Sequence, residues 1–334
     1  MIVYNNGFII DSSNDIEDEA RQLCDFWRGK SFPNYIKDNY DINKEFNKLV
    51  NFNEKTLLND FEINQSMHCC GMLWTYFPHW IDVEFNGISL KDAWENEEMK
   101  YNLFLKCCKY VLKHNKNHKL TYNRLRQNSK VYLTKQSVSN FRPTVAKLLY
   151  NLYGSEGTVY DMSSGYGGRL LGFLASDCKE YIGVDPCTNT YNGLMALKDD
   201  FKYIDKKVSL YHCGSEDFIP IKNSLDLAFT SPPYFDTEKY SKESTQSYIK
   251  FPNKESWLNN FLGCTIDNCK YGLKDDGYLI LNIANVKSYS DLEEDSVKLI
   301  INKGFQLIAT YDMVLSSIAG KGKKNEPIFI FKKR

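Results

Sequence analysis

The run Thr230-Ser231-Pro232-Pro233-Tyr234-Phe235 brings a hydroxyl, two prolines and two flat rings together. Consecutive prolines fix the backbone and remove two amide donors, which leaves nearby carbonyls as acceptors. Ser231 adds a side-chain oxygen. A planar amino group could be held by Ser231 and the Pro232 carbonyl, with Pro233 stiffening the turn. The ring carrying that amine could stack on Tyr234 and Phe235. Acceptors on an exocyclic amine favour a pyramidal, more nucleophilic nitrogen. Direct displacement at a sulfonium methyl requires such a nitrogen, and positioning would supply much of the acceleration. An isolated Pro-Pro-Tyr is more often just a rigid turn, so the surrounding sequence decides its meaning.

A second run, Asp161-Met162-Ser163-Ser164-Gly165-Tyr166-Gly167-Gly168-Arg169, lies upstream. Its glycines allow a tight reversal and the close approach of a ligand. Asp185 follows 24 residues after Asp161, where an acid can accept from ribose hydroxyls. Glu216, Asp217 and Phe218 form a third group, a carboxylate and an aromatic ring that could hold and cover an adenine. Gly165, Gly167 and Gly168 do not fit the Gly-x-Gly-x-x-Gly spacing of dinucleotide binders. The loop fits S-adenosylmethionine better than a nicotinamide dinucleotide.

These three runs need strand ends to position them, and the C-terminal part of the chain provides a suitable pattern. Apolar strand-like runs are expected at Thr158–Met162, Tyr181–Val184, Val208–Tyr211, Leu225–Thr230, Tyr278–Ile283, Phe305–Tyr311 and Pro327–Phe331. Helices are expected between them, at Thr144–Tyr153, Arg169–Ala175, Thr190–Phe201, Trp257–Tyr271 and Asp291–Asn302. Alternation of this kind implies an α/β fold with a mostly parallel sheet covered on both faces. Ligands then bind at the carboxyl ends of the strands. Upstream, Ile16, Ala20, Leu23 and Trp27 recur at helical spacing behind a Ser12-Ser13-Asn14 cap cluster. A second helical pattern spans Asn102 to Lys113. The aromatic cluster Trp74, Tyr76, Phe77 and Trp80 reads first as core, and otherwise as a base-stacking surface.

With these motifs in place, the chain resembles the amino-methyltransferases that act on N6 of adenine or N4 of cytosine in DNA. Ser231-Pro232-Pro233-Tyr234 is similar to their catalytic motif. Asp161 to Gly168, including Ser163, is similar to their S-adenosylmethionine loop. Asp185 corresponds to the ribose acid, and Glu216-Asp217 to the adenine-side acid. Asn140-Phe141-Arg142-Pro143-Thr144 is similar to the segment that reaches the methionine end of the cofactor, which gives roles to Phe141, Arg142 and Thr144. Glu326 to Phe331 resembles the closing hairpin strand. The resemblance covers about residues 138–334 and implies a class I, Rossmann-like methyltransferase fold with a seven-stranded, mostly parallel sheet. It also implies S-adenosylmethionine as cofactor, a DNA base flipped out of the duplex as substrate, and DNA as partner. A cognate nuclease would be a further partner. A serine in the first catalytic position does not decide between cytosine and adenine. Modification of RNA or of another amine, and an inactive nucleic-acid-binding fold, stay open.

Residues 1–137 are expected to form a mainly helical accessory or target-recognition region. Only 64 residues separate Gly167 from Ser231, too few for a recognition domain between them. The insert Asp236–Lys254 is the other place where target selection could sit.

The formal net charge is zero, with 42 bases against 42 acids. Zero does not exclude a nucleic-acid partner here, because the charge is unevenly placed. Residues 1–99 sum to −10, residues 100–155 to +12 with no acid at all, and residues 156–334 to −2. Within the basic block, Lys116, Arg124 and Arg126 are candidates for phosphate contact, along with Lys106, Lys109, Lys113, Lys119, Lys130 and Lys135. The loop Lys321-Gly322-Lys323-Lys324 is another. The ten cysteines show no Cys-x-x-Cys pair, so reduced thiols are expected and no metal site, although His68 and His79 flank Cys69-Cys70. No run of 18 apolar residues and no leader pattern is present, so a soluble cytoplasmic protein is expected, with its oligomeric state left open.

Overall fold

The computed structural model describes residues 1–85, 87–134, 138–318 and 322–334. Seven strands follow the expected pattern: β1 (Thr158–Asp161), β2 (Glu180–Val184), β3 (Lys207–Tyr211), β4 (Leu225–Thr230), β5 (Leu273–Asn282), β6 (Phe305–Ile318) and β7 (Gly322–Lys333). They align in the order β3-β2-β1-β4-β5-β7-β6, and β7 alone runs antiparallel, against both neighbours. This order, with its single reversed strand, is that of the class I methyltransferase fold. The order turns back between β1 and β4, so a crevice opens at their carboxyl ends. The glycine loop leaves β1 there, and the Ser-Pro-Pro-Tyr run leaves β4.

Among the described residues the sheet has nine strands rather than seven. A hairpin of Leu58–Asn59 and Glu62–Ile63 extends it beyond β6, pairing Glu62 with Asp312 and Ile63 with Met313 in parallel. The last two sequence-expected strands are also longer than their apolar runs, because they pair with each other as a ribbon as far as Ile318 and Gly322, and β5 begins five residues early, at Leu273.

Helices cover both faces: α1 (Pro143–Tyr153), α2 (Gly168–Leu174), α3 (Thr188–Asp200), α4 (Cys264–Gly272) and α5 (Leu292–Asn302). Pro143 opens α1 at a position where its missing amide costs nothing. One face of the sheet packs into a core that includes Tyr160, Met162, Trp257, Leu281 and Phe305. Burial of such side chains is worth about 1.5–3 kcal/mol each before conformational entropy is counted.

The chain divides into two compact units. The sheet unit comprises Ile36–Phe77 and Asn140–Arg334; the other comprises Met1–Tyr35 and Pro78–Ser139. The division differs from the expected 1–137 boundary, because residues 36–77 pack with the sheet unit. Their hairpin is part of the sheet, and Phe46 packs on Phe201 at 4.7 Å between ring centroids.

The smaller unit is mainly helical. Helix Ile16–Trp27 is capped by Asp15, which accepts from the Glu17 amide at 3.0 Å, one residue past the expected cap cluster. Helix Glu97–His114 brackets the expected Asn102–Lys113 pattern. A small sheet of Ile2–Tyr4, Gly7–Ile9 and Lys119–Thr121 was not legible in the sequence, since three-residue strands leave little periodicity. No helix among the described residues is long and apolar enough to cross a membrane.

Candidate active site

β1 delivers the glycine loop. Gly165 and Gly167 both have positive φ, and Gly167 caps the start of α2. A Cβ on Gly168 would lie 1.9 Å from the Phe141 carbonyl oxygen, so this glycine serves close packing of the loop against the segment before α1. At Gly165 the space is open: an added Cβ would meet only the Ser163 carbonyl oxygen, at 3.7 Å.

Asp161 is fully buried and faces inward. Its carboxylate accepts from Arg169 Nε at 2.9 Å, from Tyr181 Oη at 2.7 Å and from the Ser163 amide at 3.2 Å. It therefore shapes the loop rather than facing a ligand, which corrects the expected cofactor contact. Arg169 is the partner that the sequence reading missed. It also donates to the Ser163 carbonyl and lies between the rings of Phe141 and Phe229. Phe141 packs on Phe229 at 5.3 Å.

Asp185 ends β2. One carboxylate oxygen accepts from the Gly165 amide at 2.9 Å and the other from the Cys187 amide at 3.0 Å. Each oxygen keeps a lone pair for a further donor. Burial pushes this carboxyl up to about 6, against the two backbone hydrogen bonds that favour its ionised form.

After β3, Glu216 and Asp217 both pair with Lys250, the former at 2.7 Å. Phe218 packs between Tyr160 and Tyr211. Lys250 belongs to the insert after the Pro-Pro-Tyr run, and this insert lies along the strand ends. Its Glu243 accepts from the Thr188 amide at the start of α3, and its Thr245 donates to the Pro186 carbonyl at 3.0 Å. A carboxylate at that helix N-terminus is favourably placed.

Ahead of β1, Arg142 donates to Gln65 Oε1 at 2.8 Å and to the Asn140 carbonyl at 2.6 Å. Thr144 is buried and donates to the Ser66 carbonyl at 3.3 Å, which corrects its expected role at the methionine end. Gln65 and Ser66 come from the 36–77 segment. That segment also backs the glycine loop, with Trp74 and Phe77 packing on Tyr166 at 5.3 and 5.4 Å. Trp74, Tyr76, Phe77 and Trp80 are all buried, so the core reading of this cluster holds.

Two observations bear on cofactor fit. The space at Gly165 is open, and the Gly165 amide donates to Asp185. Glu216 Oε2 and both ends of the Asn140 side-chain amide are buried without a hydrogen-bond partner among the described residues. Unpaired buried polar atoms are rare and suit a ligand that supplies donors and acceptors. Together with Asp185 they form a set that a nucleoside carrying an amino-acid tail would satisfy.

At the end of β4, Ser231 and Tyr234 are half-buried beside Asn282, the last residue of β5. Ser231 Oγ donates to Asn282 Oδ1 at 3.1 Å. Tyr234 Oη lies 3.4 Å from the same oxygen and 3.3 Å from Glu326 Oε2. Burial, followed by the Glu326 carboxylate, pushes the Tyr234 phenol well above its ordinary value, so it remains a donor. The Pro233 carbonyl is taken by the Phe235 amide at 3.0 Å. Phe235 has a left-handed backbone with φ 57°, and its ring is buried against Trp257 and Tyr289. It supports the turn from below, which corrects its expected stacking role. Asn282 and Glu326 had no motif to announce them as site residues; only the strand pairing brings them here.

In the smaller unit, Lys116 and Arg124 are exposed, and Arg124 lies over the Tyr110 ring. Arg126 is instead bonded to the Pro33 carbonyl at 3.0 Å and stacked on Tyr35, so it is not available to a phosphate. Lys135 and Lys321 lie outside the described residues.

No protein-family model matches the chain. No curated protein matches it either. Solved structures do. TrmN from Thermus thermophilus is similar at TM-score 0.41 and 13% identity, over 60% of this chain and 50% of that one. A geranyl diphosphate C-methyltransferase from Streptomyces coelicolor A3(2) is similar at 0.42 and 11%, over 63% and 81%. A SAM-dependent O-methyltransferase from Thermotoga maritima is similar at 0.40 and 10%, over 61% and 70%. The chain thus spans half the length of the Thermus protein.

Proposed function

We propose that this chain transfers a methyl group from S-adenosylmethionine to the exocyclic amine of a DNA base, N4 of cytosine or N6 of adenine. The observation that carries the reading is the Ser231–Asn282–Tyr234 cluster at the carboxyl end of β4, next to the glycine loop of β1. When bound, S-adenosylmethionine supplies an electrophilic methyl carbon and a sulfur that takes the electron pair of the broken bond. Asp185 would accept from the ribose hydroxyls, Glu216 would meet the adenine side, and Asn140 with Arg142 would meet the amino-acid end. Ser231 Oγ and the Pro232 carbonyl accept from the two N–H bonds of the amine and orient its lone pair. Tyr234 gives the base a face. The amine nitrogen would form the new N–C bond as the C–S bond breaks, and would then shed one proton to solvent. Exposed lysines of the smaller unit meet phosphates.

Labelled methyl transfer onto DNA, RNA and protein in parallel, followed by mass spectrometry of digested nucleosides, tests this reading. N4-methylcytosine or N6-methyladenine is expected in DNA. Label in RNA or protein alone would overturn the choice of acceptor, and no label anywhere would overturn the activity. Ser231→Ala and Tyr234→Ala are each expected to lower kcat about 10²–10³-fold, the size of effect seen when one preorganised hydrogen-bonding group is lost. Calorimetry should find their cofactor affinity within a few-fold of the parent.

A further inference from the structure

A hydroxyl can donate or accept, so a serine in an amine-binding position carries an ambiguity that a carbonyl does not. If Ser231 turned its proton toward the incoming amine, two donors would face each other. The structure contains a device that removes this ambiguity. Asn282 is 1% exposed. Its Nδ2 donates to the Pro327 carbonyl at 3.0 Å, and a carbonyl can only accept, so the amide has one orientation. Asn282 Oδ1 therefore faces Ser231 and Tyr234, and it can only accept from them. Pro327 is itself fixed by β7, where the next residue, Ile328, pairs with Asn282 across the β5–β7 ladder.

We propose that Asn282 is a positioning residue that makes Ser231 an obligate acceptor. By taking the Ser231 proton, it leaves the hydroxyl's lone pairs for the N–H of the substrate amine. Tyr234 does not depend on Asn282 in the same way, because Glu326 Oε2 offers its proton a second acceptor. The inference rests on the amine-methylation reading and assigns a residue that lies 51 positions from Ser231 in sequence.

A double-mutant cycle on Ser231→Ala, Asn282→Ala and the pair tests it. If Asn282 acts through Ser231, Asn282→Ala lowers kcat about 100-fold and leaves the KM for cofactor within twofold. The double variant then loses no more than Ser231→Ala alone. Ser231→Asn in the Asn282→Ala background should recover at least tenfold, because an amide oxygen needs no partner to become an acceptor. Additive losses, or no recovery, would overturn the proposal. Should Asn282→Ala fail to bind cofactor by calorimetry, the near-isosteric Asn282→Leu carries the same cycle. Urea unfolding of the same four proteins gives a readout without turnover. A non-additive shift in midpoint is expected, and strict additivity would show that the Ser231–Asn282 bond does not exist in solution. Absence of methyl transfer by the parent protein would overturn the function reading and this inference with it. Transfer by the parent with an unaffected Asn282→Ala would overturn this inference alone.

Discussion

Asp185 shows how one buried carboxyl can link cofactor binding to pH. Its ordinary value is 3.8, and burial raises it to about 6. A folded-state value above the unfolded one means that the native protein holds the extra proton between these limits. Asp185 therefore contributes most to stability below about pH 4, and that contribution is lost as pH rises through about 6. Ribose hydroxyls donating to the carboxylate would favour its ionised form, so binding should release a proton. S-adenosylmethionine affinity is thus expected to tighten from pH 5 to pH 7, with a midpoint near 6, by isothermal calorimetry. Asp185→Asn should flatten that profile and weaken binding about 10–100-fold at pH 7.5, the value of charge-assisted hydrogen bonds worth about 1.5–3 kcal/mol. An unchanged profile in Asp185→Asn would remove Asp185 from the ribose site. The run Ser231 to Tyr234 stands out in the sequence as a candidate site because its residues are contiguous. Arg169, Asn282 and Glu326 do not, because each gains its meaning from a partner that only tertiary structure supplies. Asp161 misled for the same reason, since a buried Arg169 occupied the carboxylate that the motif assigned to a ligand.

Among the elements, the seven strands were legible because each carries a short apolar run bounded by polar residues, and their order follows from the fold class. Residues 36–77 were not legible as part of this unit. Their hairpin strands are two residues long, and their contribution lies in contacts, with Phe77 and Trp74 behind the glycine loop. The tie that holds this segment is also invisible in a one-dimensional reading. Lys147 of α1 is buried and donates to the carbonyls of Leu49, Val50 and Phe52 at the end of helix Ile42–Val50. It also pairs with Glu54 at 3.0 Å. One cation thus caps a helix C-terminus and neutralises a buried acid. Lys147 falls inside the acid-free stretch 100–155, but its charge is used within the fold. Lys147→Ala should leave Glu54 and three carbonyls without their partner and cost about 3–5 kcal/mol. The midpoint of urea unfolding measures this, and cofactor binding should weaken with it because the same segment supports Tyr166. A loss below 1 kcal/mol would mean that water satisfies these groups.

For the molecule as a whole, zero net charge conceals an arrangement that the fold redistributes. The acidic stretch before residue 100 and the basic one after it are not separate bodies. The smaller unit takes part of each, with 14 lysines and arginines against 12 acids. What matters for an anionic partner is which of its cations are free. Lys100 is buried against Glu97, and Arg126 is held by the Pro33 carbonyl. Lys106, Lys109 and Lys113 are exposed and fall three and four residues apart, which places them on one face of helix Glu97–His114. Lys116 and Arg124 are exposed as well, and the Arg124 guanidinium lies 5.2 Å from the centre of the Tyr110 ring. If this face meets phosphates, each contact releases counterions and adds about 0.9 to the slope of log affinity against log salt. Replacing Lys106, Lys109 and Lys113 together by glutamine should therefore make the slope shallower by about 2.7, read by fluorescence anisotropy on one duplex at several salt concentrations. Calorimetric cofactor affinity should not change. Arg126→Gln should leave the slope as it is and lower the unfolding midpoint instead, because its guanidinium serves the Pro33 carbonyl. A triple variant with the parent's salt slope would show that the stripe is only a solvated face, and the phosphates would then have to be met by cations of the sheet unit.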